Sequence, residues 1–296
     1  MKTKVLVTGA AGYIGGFLSK GLLDRDDIEV YVLAHKTAPD KQISKRAKVL
    51  KYYNDPRKLK EFFLKYRFDG VIHLAAVFVE NHKADDIGSI IDGNIRLGMY
   101  LLEYSLSTKV KWFVNTASFW QHYNGVRHLP NSLYAASKLA FEDISSYYAM
   151  LGDLKIVTLE LFGTYGPKDQ RRKIFTYLNE AIESKKPLKM SPGKQLINIV
   201  YIKDVVNAYM ILVDLLIRNK RTKSHYSVFS KDALPLRKLV KLYLKIRNES
   251  LKVEFGGLPY RKFEYMKPAP NYPPLPGWTQ EYSLTDGIRE MLSGSE

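Results

Sequence analysis

The stretch Lys4-Val-Leu-Val-Thr-Gly-Ala-Ala-Gly-Tyr-Ile-Gly15 decides the fold of this chain. Its first half is a short apolar run typical of a buried strand, and Tyr13 begins a helical pattern that continues to about Asp24. Three glycines stand where the strand gives way to the helix, in the spacing Gly-x-x-Gly-x-x-Gly. Glycine there allows a tight turn and close approach of the backbone to a pyrophosphate, which the helix N-terminus faces. The stretch predicts a dinucleotide site with contacts from Gly9, Gly12, Tyr13, Ile14 and Gly15.

Strand-like and helical patterns alternate along the first 160 residues. Further strands are predicted at Glu29–Ala34, Gly70–His73, Lys111–Asn115 and Lys155–Glu160. Helices are predicted from Pro56, over Asp92–Ser105 and from about Ser132 to Leu151. This alternation predicts an α/β fold, a Rossmann-type doubly wound parallel sheet.

The pattern loosens after Gly166-Pro167, where proline, glycine and lysine become frequent. The turn-rich stretch from Pro268 to Pro276 excludes a helix there. We therefore expect residues 1–165 to form a dinucleotide-binding Rossmann domain, to which residues 197–230 return. Residues 166–296 are expected to form mainly a smaller substrate-binding lobe over the carboxyl edge of the sheet, where such folds bind ligands.

Composition excludes several classes of function. The 296 residues contain no cysteine, which rules out disulfides and thiolate chemistry. No apolar run approaches the roughly 20 residues of a membrane span, and no leader precedes the first strand, so a cytoplasmic protein is expected. The formal net charge of +16 favours anionic partners, but the cations are spread along the chain. We expect no nucleic acid, membrane or metal as a partner.

The end of the second strand indicates which dinucleotide is used. An NAD enzyme commonly places an acidic residue there for the ribose 2′-hydroxyl. This chain has Ala34-His35-Lys36 instead, without a carboxylate. A cation at His35 or Lys36 suits the 2′-phosphate of NADP, although Lys36 is also compatible with a solvated loop lysine. The pattern favours NADP over NAD.

Tyr134-Ala-Ala-Ser-Lys138 places a phenol and an ammonium at i and i+4 on one face of a helix. An unperturbed tyrosine, with a pKa near 10, is a poor acid–base catalyst at neutral pH. A fixed cation nearby favours the phenolate and lowers that pKa. Combined with the upstream glycine loop, the pair predicts proton transfer by Tyr134 with support from Lys138.

These motifs together resemble the extended short-chain dehydrogenases/reductases, the group with nucleotide-sugar epimerases, dehydratases and ketoreductases. The resemblance covers nearly the whole chain and includes His73-Leu-Ala-Ala76, Asn94, Leu161–Pro167, Asn198–Val205, Pro276-Gly-Trp278 and Tyr282–Ile288. It implies further cofactor contacts from Leu74, Ala75, Ala76, Asn94, Phe162, Tyr134 and Lys138. It also implies a catalytic hydroxyl near the end of the fifth strand, which is Thr116, or Ser118 if the alignment shifts by two residues.

Departures from the family pattern narrow the reaction. Dehydratases of this group carry Asp-Glu after the catalytic threonine, where this chain has Ala117 and Ser118. The residues that usually hold the nucleotide diphosphate are replaced by Gly163 and by Ile197-Asn198. Arg261 matches the family's late arginine and is the expected phosphate contact, since a guanidinium forks onto phosphate oxygens. The resemblance implies substrate contacts from Ser118, Trp120, Gln121, His122, Gly163 and Arg261.

The segment from Thr116 to Tyr123 is most similar to nucleotide-sugar 4-ketoreductases such as CDP-abequose and CDP-paratose synthases. The resemblance implies NADPH-dependent reduction of a nucleotide-linked 4-keto-(6-deoxy)sugar at C4, for surface polysaccharides. Two alternatives stay open: a nucleotide-sugar 4-epimerase with tightly bound NAD, and a non-catalytic scaffold. The family habit of pairing two long helices predicts a homodimer, with contacts from Leu97, Tyr100, Leu101, Tyr147 and Tyr148.

Overall fold

The structure is a computed structural model that describes residues 1–294. Its strands are β1 (Thr3–Thr8), β2 (Ile28–Ala34), β3 (Lys48–Lys51), β4 (Gly70–His73), β5 (Trp112–Ser118), β6 (Lys155–Leu161), β7 (Gly163–Tyr165), β8 (Leu188–Met190), β9 (Leu196–Ile197), β10 (Ile199–Tyr201), β11 (His225–Val228), β12 (Leu234–Pro235) and β13 (Val253–Phe255). Its α-helices are α1 (Tyr13–Leu23), α2 (Lys41–Arg46), α3 (Pro56–Tyr66), α4 (Ile87–Ile91), α5 (Leu97–Ser107), α6 (Leu133–Met150), α7 (Ile174–Ser184), α8 (Ile202–Ile217), α9 (Leu236–Arg247) and α10 (Leu284–Ser293).

Seven strands form one sheet in the order β11-β6-β5-β4-β1-β2-β3. Every neighbouring pair in it is parallel. Strand order reverses between β1 and β4, the switch point at which doubly wound sheets bind ligands. The predicted Rossmann-type α/β fold is confirmed.

Apolar residues cover both faces of this sheet, as parallel strands require. One buried cluster joins the sheet to α1 and α8, with Leu18, Leu22 and Leu212 fully buried. A second cluster on other sheet residues includes Leu59 of α3 and Phe141 of α6, also fully buried. The carboxyl edge between these two layers is left for ligands.

A third buried cluster belongs to the C-terminal part of the chain, where Tyr165, Phe175 and Tyr243 pack together. Strands β7 and β10 pair here, as do β8 with β13 and β9 with β12. The predicted boundary at residue 165 stays a prediction, and residues 295 and 296 of the predicted lobe lie outside the described residues. Within residues 1–294, no helix is long and apolar enough to cross a membrane.

Several elements differ from the sequence-based expectations. The helix expected to begin at Asp92 begins at Ile87 and passes through a π-helical stretch, Asp92–Arg96, before α5. Within the described residues, the loosened C-terminal pattern contains four helices of ten residues or more, α7, α8, α9 and α10. Short strands separate α7, α8 and α9 from one another.

Gly70 gives a direct test of packing between β4 and β5. A Cβ at Gly70 would lie 2.1 Å from the indole of Trp112, its partner on β5. Gly70→Ala should therefore lower the free energy of unfolding in urea by about 1–3 kcal/mol through overpacking. Gly88→Ala is the control, because a Cβ there meets no described atom within 4 Å and alanine favours the helix by about 0.5–1 kcal/mol. Equal stability of Gly70→Ala and wild type would contradict this account.

Candidate active site

The glycine loop is folded tightly against the end of β4. Gly9 has a φ of +77°, and a Cβ there would lie 2.7 Å from the backbone nitrogen of Ala75. At Gly15 a Cβ would lie 2.2 Å from the carbonyl oxygen of Gly9. Only glycine fits these positions. The cradle at the start of α1 therefore fits a dinucleotide diphosphate, as the sequence predicts.

Thr8, the last residue of β1, ties this loop to the segment after β4. Its Oγ1 accepts hydrogen bonds from the backbone N–H groups of Leu74 and Ala75, at 3.2 and 3.1 Å. The same oxygen lies 2.8 Å from Nδ1 of His73. Burial, aided by Lys138, lowers the pKa of His73 to about 3, so this imidazole is neutral. Residues 74–76 are partly exposed and lie where a cofactor contact is predicted.

Tyr134 and Lys138 lie one helical turn apart at the start of α6, whose N-cap is Ser132. Lys138 is buried, and burial lowers the pKa of its ammonium to about 8, which the Glu142 carboxylate opposes. Burial raises the pKa of Tyr134 to about 12, and the cation that opposes this shift is Arg171. The net shift of the phenol pKa is thus upward, opposite to the lowering expected from the Tyr134/Lys138 spacing, because burial is the larger effect.

The two candidate hydroxyls near the end of β5 have different surroundings. Thr116 Oγ1 lies 2.7 Å from the phenol oxygen of Tyr209, a fully buried residue of α8. Ser118 Oγ accepts a hydrogen bond from the backbone N–H of Trp120 at 3.3 Å and caps the turn Phe119–Gln121. The hydroxyl of Ser118 is thus already used in holding the loop.

An aromatic wall adjoins the phenol of Tyr134. The ring of Phe78 meets that of Tyr134 edge-on at 5.0 Å and lies 5.6 Å from the ring of Trp120. Phe78 is 58% exposed, so this wall is open to solvent. Phe162 is buried beneath this surface and stacks on Phe119, with 4.7 Å between the two ring centroids.

Gln121 and His122 lie in a buried polar cluster. Gln121 Nε2 donates to Glu142 at 2.8 Å, and the Tyr272 hydroxyl donates to the same carboxylate at 3.1 Å. His122 Nε2 lies 3.3 Å from that hydroxyl, and His122 is only 2% exposed. Both side chains are therefore buried with protein partners, and sugar contacts from them stay a prediction.

Asn94 and Gly163, two further predicted contacts, have packing roles. Asn94 is buried, and its amide bonds both backbone groups of Val77 and the hydroxyl of Ser137. At Gly163 a Cβ would lie 2.8 Å from Ile199, because β7 pairs with β10 there. This packing explains why a side chain is lacking at a position where the family usually has asparagine.

The three residues predicted to contact phosphate groups, His35, Lys36 and Arg261, are exposed. His35 and Lys36 lie exposed just beyond β2, with the imidazole 6.4 Å from the ring of Tyr52. Arg261 is 63% exposed and forms an ion pair with Glu80, which follows β4. The carboxylate of Glu80 therefore already neutralises the charge that Arg261 would offer to a phosphate. No group of three His, Asp or Glu residues in the described part of the chain could hold a metal ion.

Sequence reasoning missed Arg171, Lys173 and Tyr209. The guanidinium of Arg171 lies over the ring of Tyr13 at 4.3 Å, and Lys173 Nζ donates to the carbonyl oxygen of Thr164 at 3.0 Å. Both cations belong to a basic run that looked like surface charge, and Tyr209 looked like an ordinary apolar position of α8. Only the folded chain brings Tyr209 to Thr116 and places the charge of Arg171 near Tyr134.

The chain is similar to several known proteins. A profile of the NAD dependent epimerase/dehydratase family matches residues 5–228. CDP-abequose synthase of Yersinia pseudotuberculosis is 27% identical over 270 residues, 91% of this chain and 93% of that protein. The enzyme of the same name from Salmonella typhimurium is 26% identical over 99% of this chain and 98% of its own.

The fold is shared with solved structures as well. UDP-glucose 4-epimerase of Thermus thermophilus, solved with NAD, superposes with a TM-score of 0.81 and 22% identity, covering 99% of this chain and 98% of that one. The family profile spans the glycine loop, the Tyr134/Lys138 pair and six of the seven strands in full, ending at the last residue of β11. The chain therefore belongs to the NAD-dependent epimerase/dehydratase family and is an NAD(P)-dependent enzyme of the extended short-chain dehydrogenase/reductase type.

Proposed function

We propose that this enzyme reduces a nucleotide-linked 4-keto-(6-deoxy)sugar at C4 with NADPH, in the synthesis of a surface polysaccharide sugar. The observation that carries the proposal is the phenol of Tyr134 beside the open aromatic wall of Phe78 and Trp120. An aromatic surface next to the proton donor suits the apolar face of a deoxygenated pyranose. The likeness to CDP-abequose synthases over nearly the full chain supports the same reaction class.

The residues of the site then take separate roles. The bound nicotinamide supplies the hydride. Tyr134 donates its proton to the carbonyl oxygen, and burial, which raises the pKa of the phenol to about 12, keeps it protonated for that task. Thr116 donates a hydrogen bond to the same oxygen, while Tyr209 fixes its hydroxyl from the side of α8. Lys138 places a positive charge one turn from the phenol.

Substitution of the two hydroxyl groups tests these roles. Tyr134→Phe keeps the ring but removes the transferable proton, so turnover should fall by about 10²- to 10⁴-fold. Thr116→Val should cost roughly 10²- to 10³-fold, as for other donors to a developing oxyanion. Both effects are measured as NADPH consumption with CDP-, dTDP-, GDP- and UDP-linked 4-keto sugars.

Ser118→Ala is the matched control for Thr116→Val, because its hydroxyl caps a turn and should matter little to turnover. If Ser118→Ala strongly lowered turnover while Thr116→Val did not, the catalytic hydroxyl would be that of Ser118, two residues further along the chain. Full turnover of Tyr134→Phe would refute the reductase.

The proposed preference for NADPH rests on the exposed His35 and Lys36 beyond β2. Lys36→Ala should weaken NADPH relative to NADH, because the charge that faces the 2′-phosphate is lost. Lys60→Ala, an exposed lysine on α3, should leave the ratio of the two dissociation constants unchanged. Wild-type protein that prefers NADH would contradict the proposal. NAD released from the denatured purified protein would instead favour the 4-epimerase.

We also propose a homodimer through α4, α5 and α6. Of the predicted contacts, Leu101 is wrong, because it is fully buried within the subunit, whereas Tyr148 lines a surface groove with Met99 and Tyr100. The exposed apolar residues of these helices and of the residue that follows α6 are Ile87, Ile91, Met99, the predicted Tyr147, Met150 and Leu151. Such a face, used by both copies, forms a two-fold interface.

Light scattering at micromolar concentration should report twice the mass of the chain. Met99→Lys should shift the protein to monomer, because a two-fold interface places two added charges in an apolar contact. Leu64→Lys is the control, since Leu64 is similarly exposed but lies on α3. A wild-type monomer would exclude the dimer.

A further inference from the structure

Two cations meet on one carbonyl oxygen between β7 and α7. Arg171 Nη2 and Lys173 Nζ donate to the backbone oxygen of Thr164, at 3.1 and 3.0 Å. Arg171 also donates through Nε and Nη2 to both carboxylate oxygens of Asp169, at 2.6 and 2.7 Å. This arrangement fixes the direction of the guanidinium before any ligand arrives.

Donors are left over on both side chains. Nη1 of Arg171 makes none of the hydrogen bonds found among residues 1–294, and Lys173 Nζ uses one of its three protons there. A guanidinium edge and an ammonium together present four remaining N–H groups. Phosphate oxygens are well suited to accept from both groups, because a guanidinium binds them through two N–H groups and an ammonium binds them as a point charge.

The local charge also calls for an anion. Asp169 neutralises one of the two cations, and within residues 1–294 the ammonium of Lys173 has only the carbonyl oxygen of Thr164 as its hydrogen-bond partner. Burial, together with the charge of Arg171, lowers the pKa of Lys173 to about 8. A half-buried ammonium beside another cation is stabilised when a negative ligand binds.

The position of the pair is that of a ligand site. Arg171 stacks over Tyr13, a member of the glycine loop and the first residue of α1, and its charge opposes the rise in the pKa of the Tyr134 phenol. The chain lacks the usual diphosphate contacts at Gly163 and Ile197-Asn198. Arg261 is occupied by Glu80. A nucleotide diphosphate in this cleft therefore needs another source of positive charge.

We propose that Arg171 and Lys173 form the diphosphate site of this cleft. The inference rests on the proposed function, because it places a nucleotide-linked ligand there. A diphosphate could come from the nucleotide sugar or from the dinucleotide cofactor, and both present the same oxygens. Asp169 is the positioning residue that aims the guanidinium of Arg171.

Isothermal titration calorimetry on the full chain tests the proposal without turnover. The probes are CDP, dTDP, GDP and UDP on one side and NADPH on the other. Lys173→Met and Arg171→Gln should each weaken binding of one probe class by about 10- to 100-fold, the loss expected for a charged hydrogen bond. Arg172→Gln is the matched control, because this neighbour is 65% exposed and pairs with Glu180.

The outcomes separate the sources. Weaker nucleoside diphosphate binding with unchanged NADPH assigns the site to the nucleotide sugar, and the reverse assigns it to the cofactor. Equal losses in all three variants, or no loss in the first two, overturn the proposal, as does wild-type protein that binds neither probe class. A failed reductase assay with intact nucleotide binding would refute the proposed reaction and leave this site standing.

Discussion

The close approach of Gly9 to the backbone of Ala75 is the constraint on which the site depends. It brings the end of β1 against the segment after β4, with the hydroxyl of Thr8 bonded across the gap. Without a side chain at Gly9 and Gly15, the start of α1 can lie beside the switch point of the sheet. The glycine loop and the start of α6 are thus held at the same edge, because parallel strands end there together.

Burial of charge around α6 shapes the chemistry more than the spacing of its motif does. Lys138 and Glu142 are both almost fully buried, one turn apart, and Glu142 anchors Gln121 and Tyr272. Buried polar groups whose hydrogen bonds are satisfied, such as Glu142, rigidify a site, whereas a missing partner would be costly. The loop after β5 is therefore fixed from below, while the wall of Phe78 and Trp120 stays open above it.

The C-terminal part of the chain contributes what the Rossmann sheet lacks. At Gly163, which pairs with Ile199 of β10, a Cβ would lie 2.8 Å from the Ile199 side chain, and the loop that follows β7 places Arg171 over the ring of Tyr13.

The sequence by itself determined the doubly wound sheet, the glycine cradle and the Tyr134/Lys138 pair, because strand–helix alternation and short motifs are local signals. Tertiary structure alone decided that His122 is buried, that Tyr209 meets Thr116 and that Arg171 reaches the cleft. The contacts of Tyr209 with Thr116, of Tyr272 with Glu142 and of Arg171 with Tyr13 each join residues that are 93 or more positions apart in the chain. No local sequence pattern encodes contacts over such separations. Burial likewise set the pKa of Tyr134, since desolvation depends on every segment packed around the phenol.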